Sequence, residues 1–233
     1  MNNPNDPHFD QYAHDYHDMH KSSISASGEE PEYFAAYKVS YMADRLGSEV
    51  AHGPLSLVDF GCGIGNSLPH LRHYFPNAEL HGVDVSGESI EMARSKNPDV
   101  QFDLIANGKL ALPDQSIDVA MAACVYHHIS PADRLMWTSE IHRVLKPGGQ
   151  LFIFEHNPLN PLTQKVVREC PFDDDAILLG RQESLKLLVN SGFDKQHVEY
   201  IVFFPRFLSL LRPLERLLGW LPLGAQYVAR GRA

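Results

Sequence analysis

The sequence is poor in cysteine and in basic residues, and both shortages exclude classes of protein. Three cysteines among 233 residues, with no Cys-x-x-Cys pair, are too few for a disulfide framework, and the odd number is typical of a reducing compartment. Lysine and arginine number 20 against 29 aspartates and glutamates, which gives a formal charge of −9. Nucleic-acid binders neutralise phosphates with clustered basic residues, so we expect no nucleic acid among the partners.

Long apolar runs are also missing. The first residues contain neither a basic stretch nor an apolar core, so we expect no secretory signal. No run of about 18 uncharged apolar residues occurs, which argues against a membrane-spanning helix. Apolar residues nevertheless make up 44% of the chain, enough to form a core. We therefore expect a cytoplasmic protein with one main domain.

Short apolar runs alternate with helical patterns along the chain. Strands are predicted at 55–60, 78–83, 100–105, 117–123, 150–155, 196–204 and 226–230. Helical periodicity covers 32–46, 66–75, 86–96, 131–145 and 182–190, with Ser86 as an N-cap. Strands that alternate with helices at this spacing predict βαβ units and a mainly parallel sheet covered by helices on both faces.

A glycine-rich turn follows the first predicted strand. Gly61, Gly63 and Gly65 separate this strand from a helix, and such glycines allow the backbone to approach a ligand closely. The spacing is GxGxG rather than the GxGxxG of pyrophosphate-binding sites. Asp59, beside the turn, would repel a pyrophosphate and suits a cation such as an ammonium group. The alternative is a tight strand-to-helix turn without a ligand.

A second carboxylate, Asp84, ends the next predicted strand. A carboxylate at this place can accept hydrogen bonds from ribose hydroxyls, although Asp84 alone could also be a charge near a helix N-terminus. Together with Asp59 and the glycines, it describes a ligand that has an amine and a ribose but no pyrophosphate. S-adenosylmethionine has these groups.

Four sequence blocks, in order, resemble the class I S-adenosylmethionine-dependent methyltransferases of the type 11-like group. They are Val58-Asp-Phe-Gly-Cys-Gly-Ile-Gly65, His81-Gly-Val-Asp-Val-Ser86, Leu112-Pro-Asp-Gln-Ser-Ile-Asp118 and Arg143-Val-Leu-Lys-Pro-Gly-Gly-Gln-Leu-Phe152. The resemblance implies an α/β fold, a Rossmann-like three-layer sandwich whose seven-stranded, mainly parallel sheet ends in an antiparallel strand. It divides the chain into an N-terminal helical arm at 1–48 and a methyltransferase domain at 49–233, with a helical insertion at 205–223.

The same resemblance implies S-adenosylmethionine as the cofactor and indicates which residues hold it. They are Tyr16, Asp59, Gly61, Cys62, Gly63, Gly65, Asp84, Val85, Asn107 and Cys124. Asn107 stands where such enzymes usually carry an acidic residue against the adenine. For Tyr16 the alternative is an ordinary aromatic on a surface helix.

Candidates for the methyl-transfer chemistry follow the fourth and fifth predicted strands. His127 and His128 are adjacent, so we expect only one of them to face the site, as a base or a substrate donor. Glu155 and His156 form a polar cluster where strand five ends. Packing is the alternative for His127 and His128, whereas Glu155 could cap a turn and His156 could be a surface residue. The acids at 173–175 form either a lid or a solvated loop.

Two further features lie near the ends of the sequence. His14, His17 and His20 could gather on one helical face, but the aspartates between them favour a polar surface, and we expect no metal. The expanded hairpin loop at 205–221 carries an apolar stripe flanked by arginines. It indicates a helix packed on its own domain, a homodimer interface or a peripheral contact with the inner face of a membrane.

These observations predict a methyltransferase that acts on a small-molecule or lipid-linked acceptor, at a hydroxyl oxygen. A polar residue would serve as the base or would orient the acceptor. A non-catalytic S-adenosylmethionine-binding or scaffold protein is one alternative. An NAD(P)-dependent oxidoreductase is another, disfavoured by the GxGxG spacing and by Asp59.

Overall fold

Seven strands alternate with α-helices in residues 16–106 and 108–233, the part of the chain that the computed structural model describes. The strands are β1 (Leu55–Phe60), β2 (Ala78–Asp84), β3 (Gln101–Leu104), β4 (Ile117–Ala123), β5 (Leu145–His156), β6 (Asp194–Ile201) and β7 (Gln226–Arg232). The α-helices are α1 (Tyr16–Ser23), α2 (Pro31–Leu46), α3 (Ser48–His52), α4 (Leu68–Tyr74), α5 (Gly87–Lys96), α6 (Arg134–Val144), α7 (Pro161–Glu169), α8 (Arg181–Asn190) and α9 (Glu215–Leu218).

The strands form one sheet in the order β3-β2-β1-β4-β5-β7-β6. Strands β1 to β5 pair in parallel, and β7 runs antiparallel to both of its neighbours. The predicted Rossmann-like sheet with an antiparallel last strand is confirmed. The strand order reverses between β1 and β4, because β2 and β3 lie on one side of β1, and β4 and β5 lie on the other. In open α/β sheets, ligands bind at the carboxyl ends of the strands at such a reversal.

Helices cover both faces of the sheet and create two apolar layers. Leu57 and Val58 are adjacent in β1 and both fully buried, but they belong to opposite layers. One layer includes side chains from α2, α4 and α5, and the other includes side chains from α6 and α8. Burial on both faces explains why the central strands are continuous apolar runs in the sequence.

Two predicted strand boundaries differ from the structure by three or more residues. The segment Lys146-Pro-Gly-Gly149, which lies between a predicted helix and a predicted strand, belongs to β5, which begins at Leu145 directly after α6. The pairing of β5 with β4 shifts register between Ile117 and Val119. The first part of β5 is therefore an irregular strand, although its proline and glycines are typical of a turn. The sixth strand also ends earlier than predicted, at Ile201.

The 205–223 insertion is not one continuous helix. A 3₁₀-helix covers Arg206–Leu214 and is followed by the short α9. Its apolar side chains point away from the protein, since Phe207 is 81% exposed and Leu210 is 93% exposed. The interpretation that this stripe packs on its own domain is therefore wrong.

Polar residues attach this insertion to the domain instead. The buried carboxylate of Glu215 accepts hydrogen bonds from the backbone N–H groups of Phe203 and Phe204 and from the hydroxyl of Tyr37. Arg212 pairs with Glu29, and its guanidinium lies over the ring of Tyr33. The apolar stripe is thus held in place from behind while it faces outward. Among the described residues, none of the helices combines the length and the apolarity needed to cross a bilayer.

Candidate active site

A cavity of about 870 Å³ lies at the carboxyl ends of β1, β2 and β4. Its volume falls in the range of small-molecule sites, roughly 300–1,000 Å³. Most of the predicted cofactor and catalytic residues line this one cavity: Asp59, Gly61, Cys62, Gly63, Asp84, Val85, Cys124, His127, His128 and His156. The arm also contributes to its wall, with Ser23 and Ile24 after α1 and with Phe34 and Lys38 of α2.

The glycine loop leaves β1 and is fixed to β2. The N–H groups of Gly61 and Cys62 both donate to the carbonyl oxygen of Val83, at 2.8 and 3.1 Å. Gly61 has φ +75°, and a Cβ there would lie 2.4 Å from Cγ2 of Val125. Gly63 has φ +50° and no atom within 4 Å of where its Cβ would be, so its backbone is open to the cavity. The loop is therefore a cradle that a side chain at Gly63 would fill.

Gly65 and Cys62 also belong to the glycine loop, and neither offers a reactive group to the cavity. Gly65 has φ +84°, and a Cβ there would lie 3.0 Å from Cδ1 of Leu68, away from the cavity wall. Gly65 is thus a packing glycine under α4, and its contact with the cofactor stays a prediction. Burial raises the pKa of the Cys62 thiol, so it stays protonated and is no nucleophile.

Asp84 is fixed at the cavity wall by two backbone groups. The N–H of Gly63 donates to Oδ2 at 2.7 Å, and the N–H of Ser86 donates to Oδ1 at 2.9 Å. Ser86 is the N-cap of α5, as predicted, because its hydroxyl accepts from the N–H of Ser89. An ionised carboxylate has about four lone-pair sites, so these two bonds leave capacity for ribose hydroxyls.

Asp59 places a carboxylate oxygen in the interior without a hydrogen-bonding partner among the described residues. The side chain is 2% exposed. Burial and the nearby Asp84 carboxylate raise the pKa of Asp59 from 3.8 to about 7, although Lys38 opposes the shift. A buried, unpaired oxygen is costly unless a donor meets it. An ammonium group of a ligand would supply that donor, so Asp59, Gly63 and Asp84 together fit S-adenosylmethionine.

The residues predicted for the chemistry meet at the other side of the cavity. Nδ1 of His127 lies 2.6 Å from Oε2 of Glu155, and Oε1 of Glu155 accepts from the N–H groups of Val125 and Tyr126. Glu155 is fully buried behind His127 and does not line the cavity. We therefore assign Glu155 a positioning role instead of the catalytic role predicted from its place in the sequence.

Both adjacent histidines face the same carboxylate. Nε2 of His127 and Nε2 of His128 lie 3.5 and 3.4 Å from Oδ1 of Asp173. The expectation that only one would face the site is wrong, because Tyr126–His128 form a 3₁₀ turn. Successive side chains are about 120° apart in such a turn, whereas they point to opposite sides in a strand. Asp173 is buried, so this acid does not belong to a solvated loop.

The two buried imidazoles of His127 and His156 have different protonation states. Burial lowers the pKa of His127, but the Glu155 and Asp173 carboxylates outweigh it and raise this pKa from 6.5 to about 10. Burial and the positive charge of His127 lower the pKa of His156 to about 3. The two ring centroids are 5.1 Å apart. At neutral pH, His127 therefore carries the proton and His156 is neutral.

Lys38 is a cavity residue that the sequence reasoning missed. It is buried on α2, and its Nζ lies 3.5 Å from Sγ of Cys124. Its spacing of four from Phe34 and Met42, which are also buried, was a signal that it belongs to the inner face of the helix. Cys124 itself has φ +59°, an uncommon conformation for a residue with a Cβ.

Several predicted residues lie outside what the structure describes. Asn107 and His14 are not among the described residues, and the description does not extend to the side chains of Tyr16, His17 and His20. Tyr16 is the first residue of α1. Its contact with the cofactor stays a prediction, as does that of Asn107.

The comparisons with known proteins agree with this geometry. Residues 58–153 match the family model described as a methyltransferase domain. The chain is 29% identical over 142 residues to a trans-aconitate 2-methyltransferase of Variovorax paradoxus, covering 59% of this chain and 54% of that protein. It is 32% identical over 111 residues to a demethylmenaquinone methyltransferase of Chlorobaculum parvum, covering 47% and 45%. The chain spans about half the length of these curated relatives.

Solved structures share the fold over a larger part of the chain. A Thermotoga maritima S-adenosylmethionine-dependent methyltransferase, described as a possible histamine N-methyltransferase, has a TM-score of 0.67 at 20% identity, covering 97% of this chain and 98% of that one. An Archaeoglobus fulgidus S-adenosylmethionine-dependent methyltransferase has a TM-score of 0.63 at 16% identity, covering 84% and 94%. At these identities the likeness shows the fold.

Proposed function

We propose that the chain carries a methyltransferase domain of the class I S-adenosylmethionine-dependent family and that it methylates a hydroxyl oxygen of a small-molecule or lipid-linked acceptor. One observation carries this proposal. A single cavity joins the Asp59 carboxylate, whose Oδ2 has no hydrogen-bonding partner among the described residues, and the open Gly63 backbone to a cluster of imidazoles and carboxylates. The first group fits a cofactor, and the second suits a polar acceptor.

The chain's own residues would hold the cofactor from three sides. Asp59 receives the ammonium group, the backbone at Gly63 lies along the methionine part, and Asp84 accepts from the ribose. Val85 lines the cavity beside Asp84 and offers an apolar surface to the adenine. When bound, S-adenosylmethionine supplies an electrophilic methyl group on its sulfonium. The chain must then align the acceptor for in-line attack.

The imidazole cluster would orient the acceptor. His156 is neutral and lines the cavity, so its ring can accept a hydrogen bond from an acceptor hydroxyl. His128 also lines the cavity, and its ring lies between Asp173 and Asp175. His156 and His128, the latter held by two carboxylates, can therefore keep a hydroxyl in one orientation for the in-line attack.

Calorimetry with S-adenosylhomocysteine and with NAD tests the cofactor. We expect S-adenosylhomocysteine to bind. Asp59→Ala should weaken its binding at least tenfold, since the ammonium group of the ligand would lose its buried partner. Asn77→Ala, an exposed change distant from the cavity, is the control. Binding of NAD without binding of the nucleoside would overturn the proposal in favour of an oxidoreductase.

Transfer of a labelled methyl group tests the reaction and separates the acceptor types. The protein is incubated with labelled S-adenosylmethionine and either a total lipid extract or a polar small-molecule extract. A hydroxyl acceptor gives an ether whose label survives alkali, whereas a carboxylate acceptor gives an ester that alkali cleaves. Nucleoside binding with no transfer in either extract supports the non-catalytic binding protein.

The exposed apolar stripe favours a lipid-linked acceptor, and we propose that it contacts a membrane surface peripherally. Arg206 and Arg216 are exposed beside Phe207, Leu210 and Trp220, a combination suited to anionic lipid. The insertion also contacts the connection between α1 and α2, through Arg206 and Gly28. Ser23 and Ile24, just before this connection, line the cavity. A headgroup could therefore enter while its lipid stays in the membrane.

Co-sedimentation with vesicles tests the membrane contact. We expect binding to vesicles that contain anionic lipid, and loss of it when Phe207 and Leu210 are replaced by serine. Val189→Ser, at an exposed apolar residue of α8 outside the insertion, is the control. Absence of vesicle binding by the intact protein refutes the contact, and a concentration-dependent doubling of mass would then support the homodimer.

A further inference from the structure

We propose that His127, His128 and Asp173 form a binding site for a divalent transition-metal ion, which opens onto the cavity. The three side chains come from two separate segments of the chain. His127 and His128 come from the turn after β4, and Asp173 comes from the 3₁₀ turn Pro171–Asp173 after α7. The prediction of no metal was based on the histidines of the arm, which are different residues.

The distances suit a shared ion. Nε2 of His127, Nε2 of His128 and Oδ1 of Asp173 all lie within 4.8 Å of one another. Each nitrogen is 3.4 to 3.5 Å from the oxygen, which is too long for a good hydrogen bond. Ligand atoms held at about 2.0–2.2 Å from a tetrahedral ion are separated by similar distances, so small movements would bring all three to one ion.

A second, independent observation is that Oδ1 of Asp173 lacks a hydrogen bond among the described residues. Asp173 is 7% exposed, and its Oδ1 points between the two imidazole nitrogens. Buried carboxylate oxygens are normally satisfied, and an ion at this point would satisfy this one.

Outer carboxylates fix the rings in the orientation that a metal requires. Nδ1 of His127 faces Glu155 at 2.6 Å, and Nδ1 of His128 faces Asp175 at 3.3 Å. A hydrogen bond from Nδ1–H to a carboxylate orients Nε2 towards an ion, which at His127 must displace the proton that this ring otherwise carries at neutral pH. Metal-binding histidines are almost always held in this way. Here both histidines have such a partner, and each partner is a different residue.

The donor set indicates the class of ion. Two imidazole nitrogens and one carboxylate oxygen suit zinc, iron, cobalt or nickel, whereas magnesium and calcium prefer oxygen ligands. All three ligands line the cavity, so the remaining coordination positions face the space for the acceptor. If the proposed function holds, an acceptor hydroxyl bound there would lose its proton more easily, because a metal lowers the pKa of a bound hydroxyl.

Titration of the metal-free full chain with Zn²⁺ by calorimetry, and with Co²⁺ by visible spectroscopy, tests the site. We expect one equivalent bound in the cavity and Co²⁺ bands typical of low coordination. Asp173→Asn should weaken binding at least 100-fold. Asp175→Asn should weaken it about tenfold, since it removes only an outer partner. His128→Gln, less buried than Asp173, replaces Asp173→Asn if that variant does not fold.

The histidines of the arm are the competing explanation and provide the control. The triple variant His14→Gln, His17→Gln, His20→Gln should keep the bound equivalent. Loss of binding in this triple variant, or unchanged affinity in Asp173→Asn, would overturn the proposal. S-adenosylhomocysteine binding is measured on the same samples. Failure of the metal site leaves nucleoside binding intact, whereas failure of the proposed function removes nucleoside binding or methyl transfer and leaves the metal titration unchanged.

Discussion

Nδ1 of His127 lies 2.6 Å from Oε2 of Glu155, and both side chains are buried. The contact joins the turn after β4 to the end of β5. Because the other carboxylate oxygen of Glu155 accepts two backbone N–H groups of that turn, Glu155 holds the turn and the ring together. The orientation of His127 towards Asp173 follows from this arrangement.

Replacing Glu155 by glutamine tests the positioning role. The amide of Glu155→Gln would keep an oxygen for the backbone N–H groups but would leave His127 without a buried carboxylate partner. We expect the free energy of unfolding to fall by about 3 kcal/mol in denaturant titrations, as for other broken buried pairs. Zn²⁺ affinity should fall 10- to 100-fold, and nucleoside affinity should not change. Glu169→Gln, at an exposed residue, is the control. Unchanged stability together with unchanged metal affinity would contradict the role.

The raised pKa of Asp59 predicts a pH dependence of cofactor binding. An ammonium group binds the ionised carboxylate, and ionisation of Asp59 requires a pH above about 7. We expect the affinity for S-adenosylhomocysteine to rise between pH 6 and 8 in calorimetric titrations, by up to roughly tenfold per pH unit. Asp59→Asn should bind weakly and with a flat profile over that interval. A parallel rise in this variant would assign the dependence to another group.

The same pKa predicts how the stability of the ligand-free protein depends on pH. The folded state holds the proton of Asp59 more tightly than the unfolded chain, whose carboxyl has a pKa near 3.8. This contribution to stability is complete below pH 4 and is lost as the pH rises through about 7. Relative to Asp59→Asn, the wild type should therefore become less stable between pH 4 and pH 7.5. Denaturant midpoints at several pH values measure this difference, and a constant difference would refute the shift.

Lys38 should influence the pH at which Asp59 titrates. Its positive charge lowers the pKa of Asp59, so Lys38→Met should raise the midpoint of the binding profile to a higher pH. The methionine keeps most of the apolar stem that packs on α2. Nucleoside affinity measured from pH 6 to 9 gives the shift. A midpoint that stays in place would show that Lys38 acts on the site through packing alone.

Two glycines of the same loop should respond differently to alanine. Gly61→Ala places a Cβ 2.4 Å from Cγ2 of Val125 and should lower the free energy of unfolding by about 3 kcal/mol. The Cβ of Gly63→Ala meets no atom, so we expect the free energy of unfolding to fall by only about 1 kcal/mol, because of the left-handed backbone. The affinity for S-adenosylhomocysteine should fall clearly. Thermal unfolding and calorimetry measure both. Adding Val125→Ala should restore part of the stability of Gly61→Ala, and no restoration would refute the proposed clash.

The cofactor side was predictable because it depends on local sequence. The GxGxG turn, the carboxylates at the ends of two strands and the Ser86 cap each need only a few neighbouring residues, and parallel strands bring their carboxyl ends to one edge of the sheet. The separate roles of the three glycines were not predictable, for the same reason. Local sequence indicates a tight turn, but it does not tell which glycine opens to the ligand and which one packs under a helix.

The acceptor side needed the tertiary structure. Asp173 is 46 positions after His127 in the chain, and nothing in the run of three acids shows that the first is buried against two imidazoles while the third only approaches His128. The 3₁₀ turn that directs both histidines to one side depends on Glu155, which binds its backbone from another strand. The outward direction of Phe207 and Leu210 likewise depends on Glu215 and Arg212, which fix the back of the insertion.

By itself, the sequence determined the βαβ fold, the cofactor loop and the class of cofactor, because these follow from hydrophobic periodicity and from residues adjacent in the chain. The tertiary structure alone decided which polar groups face one another across the cavity, which of them are buried and what charge they carry. Protonation and metal binding depend on distances between segments and on exclusion of water, and neither is encoded in any single stretch of sequence.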